Sequence, residues 1–97
     1  MFARLVTFRW KRDRLDEAIR AYRENVAPAR KAKKGSRGGY FLVDRKTGKG
    51  VVITLWDSER DILATEESGF FKEQLAKFQD FLTAPPVREI YEVGAQD

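Results

Sequence analysis

The segment from Val51 to Glu59 constrains the fold more than any other part of the chain. Six apolar or β-branched residues follow one another from Val51 to Trp56, which predicts a strand that is buried on both faces. Ser58 comes next and is followed three residues later by Asp61, so we predict that Ser58 is the N-cap of a helix with an acidic first turn. Trp56 would then lie where a buried strand leads into a helix, near the opening of any cavity that the fold encloses.

The composition excludes several kinds of chemistry. The 97 residues are enough for one domain, which we expect to span positions 1–97. The absence of Cys and His excludes disulfides, thiolate nucleophiles, Cys/His zinc sites and imidazole acid–base catalysis. No apolar run approaches membrane-spanning length, and the first residues lack the layout of a signal peptide. We therefore expect a cytoplasmic location, no membrane partner and no metal site.

Positive charge is concentrated in the first half of the chain. Residues 1–50 carry 15 Lys or Arg against 5 Asp or Glu, whereas residues 51–97 carry 4 against 10. Such asymmetry occurs in nucleic-acid-binding proteins, but no nucleic-acid motif accompanies it here. The favoured interpretation is that charged faces of neighbouring elements or subunits complement one another, and a nucleic-acid partner is not expected.

The densest group of cations allows two interpretations. It consists of Arg30, Lys31, Lys33 and Lys34. Such a group can bind an anion, but it is more commonly a solvated helix end that complements the helix dipole. The glycines that follow do not have the spacing of a phosphate-binding loop.

Hydrophobic periodicity predicts four strands and two helical regions. The strands are expected at residues 2–9, 40–44, 51–56 and 87–93. A charged connection is expected from Trp10 to Arg14, and a loop is expected at residues 31–39. The first helix has an apolar stripe of Leu15, Ile19, Tyr22 and Val26, and Pro28 indicates a kink or an approaching end. The second helical region runs from Ser58 to about Glu67, is broken by Ser68-Gly69, and resumes with a stripe of Phe71, Leu75, Phe78 and Leu82.

This order of elements, β-α-β-β-α-β, predicts an α+β, ferredoxin-like fold. In that arrangement a four-stranded antiparallel sheet carries its helices on one face. Strands one to three have apolar residues on both faces, so the face without helices needs a partner. The economical partner is the same face of a second copy. We therefore predict a homodimer in which the two sheets form an α/β barrel.

Several segments match the layout of a known family. They are the first strand, the helix start Leu15–Ile19, the turn Gly35–Gly38, the element Ile53–Glu59 and the segment Phe70–Glu73. Together they resemble the antibiotic biosynthesis monooxygenase (ABM) domains of the dimeric α/β-barrel superfamily, over nearly the whole chain. The resemblance implies a cofactor-independent monooxygenase that acts on a small aromatic or quinol compound. The alternative is a non-catalytic dimer of the same fold that binds a small ligand or serves as an interaction module.

Two branches of this family use residues that the chain lacks. The haem-degrading branch shares the strand-three Trp, here Trp56, but adds an Asn and a His at positions near Val6 and Leu75. Because the chain has no His, haem degradation by that mechanism is not expected. The polyketide-oxygenating branch uses an Asn near Val52, whereas the only Asn here, Asn25, lies on the first predicted helix.

Aromatic side chains are the candidate substrate-binding residues. Cofactor-free oxygenation requires a substrate that gives an electron to O₂ as an anion, in an apolar pocket with an anion stabiliser. The candidates for lining such a pocket are Trp56, Tyr22, Phe41, Phe78 and Tyr91. Packing in the core is the commoner role for aromatic residues at helix and strand periods, so both roles stay open for each of them.

Trp56 and Arg4 are the candidate catalytic residues. Arg4 and Arg88 are cations within strand patterns rather than loops, and Arg4 alternates with apolar residues toward the predicted core. Either arginine would stabilise a substrate anion. The alternative for both is an ion pair with Glu89 or Glu92.

Overall fold

The computed structural model describes all 97 residues and contains four strands and four α-helices. The strands are β1 (Phe2–Arg9), β2 (Ser36–Val43), β3 (Lys49–Trp56) and β4 (Val87–Glu92). The α-helices are α1 (Leu15–Ala21), α2 (Ala27–Lys31), α3 (Glu59–Glu67) and α4 (Phe70–Ala76). A π-helical segment, Tyr22–Val26, joins α1 to α2, and 3-10 turns occur at Arg12–Arg14 and Gln79–Phe81. None of these helices has the length and apolarity needed to cross a bilayer.

The four strands form one antiparallel sheet in the order β2-β3-β1-β4. β1 lies in the middle, where Val6 faces Val52 on β3 and Arg88 on β4. Together with helices between β1 and β2 and between β3 and β4, this order is the ferredoxin-like arrangement. The predicted α+β fold class is confirmed.

The helices cover one face of the sheet, which we call the inner face. Val6, Phe8 and Val52 are buried there in a cluster that also contains Leu15 and Phe78. The alternation predicted for β1 is confirmed, because Arg4, Val6 and Phe8 are all buried whereas Leu5 and Thr7 between them are half-buried.

The first helical region continues from Leu15 to Lys31 but changes its winding in the middle. The predicted stripe of Leu15, Ile19, Tyr22 and Val26 packs on the core. Pro28 has no N–H to donate to the preceding turn, and the π-helical segment lies directly before it. The expected kink or end at Pro28 is therefore a local π-helical turn, and the helix continues for another turn beyond it.

The predicted limits of α3 are confirmed. Ser58 has an extended backbone, and its Oγ accepts a hydrogen bond from the backbone N of Asp61 at 3.2 Å, as an N-cap does. Gly69 separates α3 from α4 with φ = 85°, a conformation that favours glycine.

Three local predictions were wrong. β2 begins at Ser36 rather than Tyr40, because Gly38 and Gly39 continue the strand through an irregularity in its register. α4 ends at Ala76, so the last two residues of the predicted stripe, Phe78 and Leu82, lie outside the helix and flank a 3-10 turn. Trp10, which was placed in a charged connection, is buried and stacks on Phe8 with 4.6 Å between ring centres.

The other face of the sheet, which we call the outer face, has no helix over it. The exposed large apolar residues of the strands lie there: Tyr40 (65 % exposed), Val87 (59 %), Leu42 (49 %) and Tyr91 (49 %). Ile53 lies between Leu5 and Tyr40 on this face and is only half-buried. The prediction that β3 is buried on both faces was therefore wrong for the single chain, in which its apolar outer-face residues are only half-buried because no element covers them.

Candidate functional site

A pocket lies between the inner face of the sheet and the helices. Nine of its thirteen lining residues are hydrophobic: Val6, Phe8, Tyr22, Val26, Val52, Phe70, Phe71, Leu75 and Phe78. The other four are Arg4, Arg30, Thr54 and Gln74. The strands form its floor, and the first helical region and α4 form its walls. None of the thirteen is Asp, Glu or His, so the lining supplies cations and hydrogen-bond donors but no carboxylate or imidazole base.

The enclosed part of the pocket is small. It measures about 40 Å³, within a space of about 450 Å³ that includes the open mouth. An enclosed water needs roughly 10–15 Å³ and a benzene-binding cavity measures about 150 Å³, so this conformation has room for a few waters. An aromatic ring enters only if lining side chains move. Phe70 and Phe71 are half-buried at the start of α4, whereas Phe8 and Phe78 are buried.

Arg4 is a buried cation in the floor of the pocket. It is 4 % exposed, and its Nη1 donates to Thr65 Oγ1 at 2.8 Å and to Glu66 Oε2 at 3.2 Å. Its guanidinium carbon lies 3.9 Å from the centre of the Phe71 ring, a cation–π contact. Burial lowers the pKa of Arg4, and the hydrogen bond to Glu66 opposes that shift, but a guanidinium stays charged at neutral pH.

Glu66 is shared between two arginines. Besides the bond from Arg4, it accepts two from Arg88, whose Nε lies 3.1 Å from Oε2 and whose Nη2 lies 2.5 Å from Oε1. The carboxylate partner of both strand arginines is therefore Glu66, and the pairing considered with Glu89 or Glu92 was wrong. The sequence could not indicate this, because Glu66 lies in the last turn of α3 and is brought to the sheet by helix packing.

Arg30 is a second buried cation, also 4 % exposed. Its Nη1 donates to Tyr22 Oη at 2.9 Å, while its Nε is buried without a hydrogen-bond partner. Lys31, Lys33 and Lys34 are exposed, as expected for a solvated helix end. That interpretation does not apply to Arg30, because its side chain is buried. A buried donor without a partner costs free energy. Arg30 is the one lining residue of the pocket with such a donor.

Gly39 on β2 leaves the space that the Arg30 side chain occupies. A methyl group at Gly39 would lie 2.9 Å from Arg30 Nη1 and would overlap the carbonyl oxygen of Ile53. Residue 39 therefore has to lack a side chain for the guanidinium to reach this position.

The structure brings some of the predicted site residues together and separates others. Tyr22, Phe78 and Arg4 line the pocket. Trp56 is fully buried and outside the lining, and its Nε1 donates to Thr54 Oγ1 at 2.8 Å. Phe41 packs against Tyr22 with 5.1 Å between ring centres, also outside the lining. Tyr91 lies on the outer face, opposite Ala3 of β1.

Sequence reasoning missed Arg30, Phe70 and Phe71 as lining residues. For Arg30 a signal existed, because Tyr22, Val26 and Arg30 follow one another at four-residue steps and so share a helix face. For the two phenylalanines no sequence signal distinguished one from the other, since either one was able to open the helix after Gly69.

The positions that the resemblance singles out lie on this pocket. Val6, Val52 and Leu75, which stand near the Asn and His positions of the ABM branches, are all lining residues. Apolar side chains therefore occupy the places where haem degradation needs an amide and an imidazole, and the residues do not fit that chemistry. The chain also contains no group of three or more carboxylates close enough to hold a metal ion.

No protein-family model and no curated protein sequence matches the chain. Solved structures do match it over almost its full length. A provisionally named antibiotic biosynthesis monooxygenase from Nitrosomonas europaea superposes with a TM-score of 0.78 at 18% identity, covering 98% of this chain and 100% of that one. The chain has the ABM-like fold.

Two further solved structures match the chain over almost its full length. A protein from Caulobacter crescentus CB15, also provisionally named an antibiotic biosynthesis monooxygenase, has a TM-score of 0.78 at 15% identity and covers 97% of this chain and 90% of its own. A protein of unknown function from Nitrosomonas europaea has a TM-score of 0.75 at 19% identity, with coverage of 99% and 91%. At these identities the likeness establishes the fold, and function has to be argued from the pocket.

Proposed function

We propose that this chain is a monooxygenase-like protein that binds a small aromatic or quinol compound in the pocket beneath its helices and oxygenates it without a metal or bound cofactor. The observation that carries the proposal is the pocket itself, an apolar, aromatic-walled space with two buried arginines. The provisional names of the ABM-like neighbours agree with it.

The chemistry is balanced without an external reductant. The ring CH₂ of an anthrone reacts with O₂ to give a ring C=O and water, and a ring C–H of a hydroquinone reacts with O₂ to give a hydroxyquinone and water, so that in both cases the substrate supplies all the electrons. The protein has to favour the substrate anion, which gives the first electron to O₂, and to keep water away. Arg4 and Arg30 are positioned for the first task, and the phenylalanines of the wall for the second.

The lack of a base in the lining restricts the substrate. With no carboxylate or imidazole in the pocket, no side chain is placed to remove a proton from a substrate of high pKa. The proposed substrates are therefore compounds that the arginines alone can hold as anions at neutral pH, such as hydroquinones and anthrones with electron-withdrawing substituents.

The alternative function is ligand binding without catalysis, in a dimer of the same fold. The small enclosed volume and the apolar residues Val6, Val52 and Leu75 support this alternative. Oxygen uptake with a panel of hydroquinones and anthrones separates the two. Uptake above the buffer control, abolished by Arg4→Gln and kept by Lys72→Gln on the exposed side of α4, supports the oxygenase. Uptake equal to the control, with the ligand bound, supports the binding protein.

We also propose that two copies associate through their outer faces. An exposed apolar surface contributed by all four strands is typical of a protein interface, and sheets pack face to face in sandwiches and barrels. The burial would contribute roughly 25 cal/mol per Å² of apolar surface. The inner pocket would remain accessible from the helix side in such a dimer.

A further inference from the structure

We infer that the pocket binds an organic oxyanion, and that Arg30 and Tyr22 hold its charged group while the aromatic wall holds its apolar part. This inference rests on the proposed small-ligand function and adds the charge of the ligand and the residues that recognise it. Three observations support it: the charge balance of the site, the free donors at Arg30 and Tyr22, and the position of Arg30 at the edge of the pocket.

The site carries more positive than negative charge. The charged groups that act on Arg4 are Glu66, Arg88 and Arg30, which amounts to three arginines and one carboxylate. Glu66 is already bonded to Arg4 and Arg88, and Arg30 takes part in none of the six ion pairs of the chain. A buried charge without a counter-charge is costly, so the site is completed by an anion.

Arg30 and Tyr22 together present unused donors. Arg30 Nε–H has no partner. Tyr22 Oη accepts the bond from Arg30 Nη1 and makes no other, so its own proton is left to donate. A guanidinium N–H and a phenol O–H side by side suit an oxygen-centred anion, because hydrogen bonds to an ionised acceptor are about twice as strong as neutral ones.

Arg30 also lies where a ligand's charged end can reach it. Besides lining the pocket, Arg30 and Tyr22 line a groove on the protein surface next to Gly38 and Gly39. These two residues therefore lie between the apolar pocket and the surface groove. A ligand with one anionic group and one ring would place the ring among Phe70, Phe71 and Phe78 and the oxyanion at Arg30.

The test compares an anion with a neutral molecule of the same shape. Benzoate and benzamide share a ring and differ in charge, and calorimetric titration of the wild-type protein at neutral pH measures both. We expect benzoate to bind at least tenfold more tightly, about 1.4 kcal/mol. Arg30→Gln should bring the two affinities together, Arg30→Lys should keep part of the difference, and Lys72→Gln, an equal change of net charge outside the pocket, should keep all of it.

A second arm identifies the kind of oxyanion. 4-Nitrophenol absorbs differently as phenol and phenolate, so its pKa in the presence of saturating protein is read directly. A lowered pKa that returns to the free value in Arg30→Gln indicates a phenolate site, whereas tight benzoate binding without that shift indicates a carboxylate site. Either result supports the inference. Equal binding of benzoate and benzamide by the wild-type protein, with no change in the pKa of nitrophenol, overturns it and leaves the apolar ligand pocket intact.

A third probe separates failure of the inference from failure of the proposed function. If neither benzoate nor benzamide binds and the hydroquinones and anthrones give no oxygen uptake and no binding, the proposed function fails. Acetate, which has the oxyanion and no ring, then decides the inference by NMR. Acetate-dependent shifts at Arg30 and Tyr22 that are lost in Arg30→Gln support an anion site, and the absence of such shifts in the wild-type protein overturns it.

Discussion

Arg4 and Glu66 form a largely buried ion pair, with 3.2 Å between Nη1 and Oε2, although 62 residues separate them in the sequence. The pair ties the middle of the sheet to the last turn of α3, above the floor of the pocket. Glu66 also forms an ion pair with Arg88. A single carboxylate therefore affects both the stability of the fold and the net charge around the pocket.

Replacing Glu66 by Gln should change stability and anion affinity in opposite directions. Arg4 and Arg88 would lose their only carboxylate, and we expect a loss of about 1–3 kcal/mol in unfolding free energy, below the 3–5 kcal/mol of fully buried pairs because Glu66 is partly exposed. Benzoate should bind more tightly at Arg30, since the variant removes the one carboxylate among the charged groups of the site and leaves the site more positive. Chemical denaturation and calorimetry measure the two effects.

The matched control for that variant is Glu67→Gln. Glu67 is the neighbouring residue and pairs with Arg60 on the protein surface, where both side chains are well exposed, so the change should stay within about 0.5 kcal/mol. If the two variants have the same stability and the same benzoate affinity, the role assigned to Glu66 is wrong.

Replacing Gly39 by Ala should disturb the site through Arg30. The new methyl group would overlap the Ile53 carbonyl and crowd Arg30 Nη1, so either the strand or the guanidinium has to shift. We expect a loss of about 1–3 kcal/mol in stability, as for other overpacked positions, together with weaker benzoate binding. Gly94→Ala, where nothing lies within 4 Å of the added carbon, should leave both measurements unchanged.

The fold was predictable because its signals are local. Strand alternation in Phe2–Arg9, the helical stripe beginning at Leu15, and the Ser58 cap each depend on residues within one element. The predicted element boundaries were wrong where contacts with a neighbouring element determine them. Ser36–Gly39 pairs as a strand only because β3 lies beside it.

The site was predictable only in part, because a pocket is formed between elements. Trp56 and Phe78 were both candidates for lining the pocket, yet the first is enclosed by the core and the second borders the pocket. The charge of Arg30 suggested an exposed side chain. Its burial depends on Gly39, which lies on β2 and outside the pattern of the first helical region. Such relations require the packed structure.

Replacing Ile53 by Glu should convert a dimer into a monomer. Ile53 lies in the middle of the outer face, between Leu5 and Tyr40, and a symmetric interface would bury two like charges near each other. Light scattering should report a dimer for the wild-type protein and for the control Ala64→Glu, whose substitution is on an exposed position of α3. A wild-type monomer at micromolar concentration would contradict the proposed association.

Tyr91 provides a pH-dependent signal on the same face. Its Oη donates to Glu89 Oε2 at 2.5 Å, and this bond, together with the negative charge of Glu89, raises the pKa of Tyr91 above its ordinary value of 10.0. Because the folded-state pKa of Tyr91 is the higher one, the stabilisation is complete below the ordinary pKa of 10.0 and is lost as the pH rises from there through the raised pKa of the folded state.

Absorbance titration of the tyrosines tests this relationship. Glu89→Gln should lower the pKa of Tyr91 toward the ordinary value, and the stability of the wild-type protein relative to this variant should fall at alkaline pH. Glu92→Gln, an exposed carboxylate on the same strand, should leave the titration of Tyr91 as it is. An unchanged titration in Glu89→Gln would show that the bond does not persist in solution.

Trp56 should prove to be a core residue, whose loss affects stability more than ligand binding. Trp56→Ala removes a fully buried ring and should cost about 3–5 kcal/mol. Trp56→Phe should cost less, because it keeps an aromatic ring and chiefly removes the donor to Thr54 Oγ1. In both variants the protein that remains folded should bind benzoate with nearly the wild-type affinity, since Trp56 does not line the pocket.

Phe71→Ala should give the opposite pattern. Phe71 is half-buried, lines the pocket and lies against the guanidinium of Arg4, so its truncation should weaken aromatic binding severalfold while destabilising the fold less than Trp56→Ala. Thermal unfolding and ligand titration of the same three variants distinguish these roles. If folded Trp56→Ala loses ligand affinity and folded Phe71→Ala keeps it, the ring that recognises the ligand is Trp56, and the pocket has to rearrange on binding to expose it.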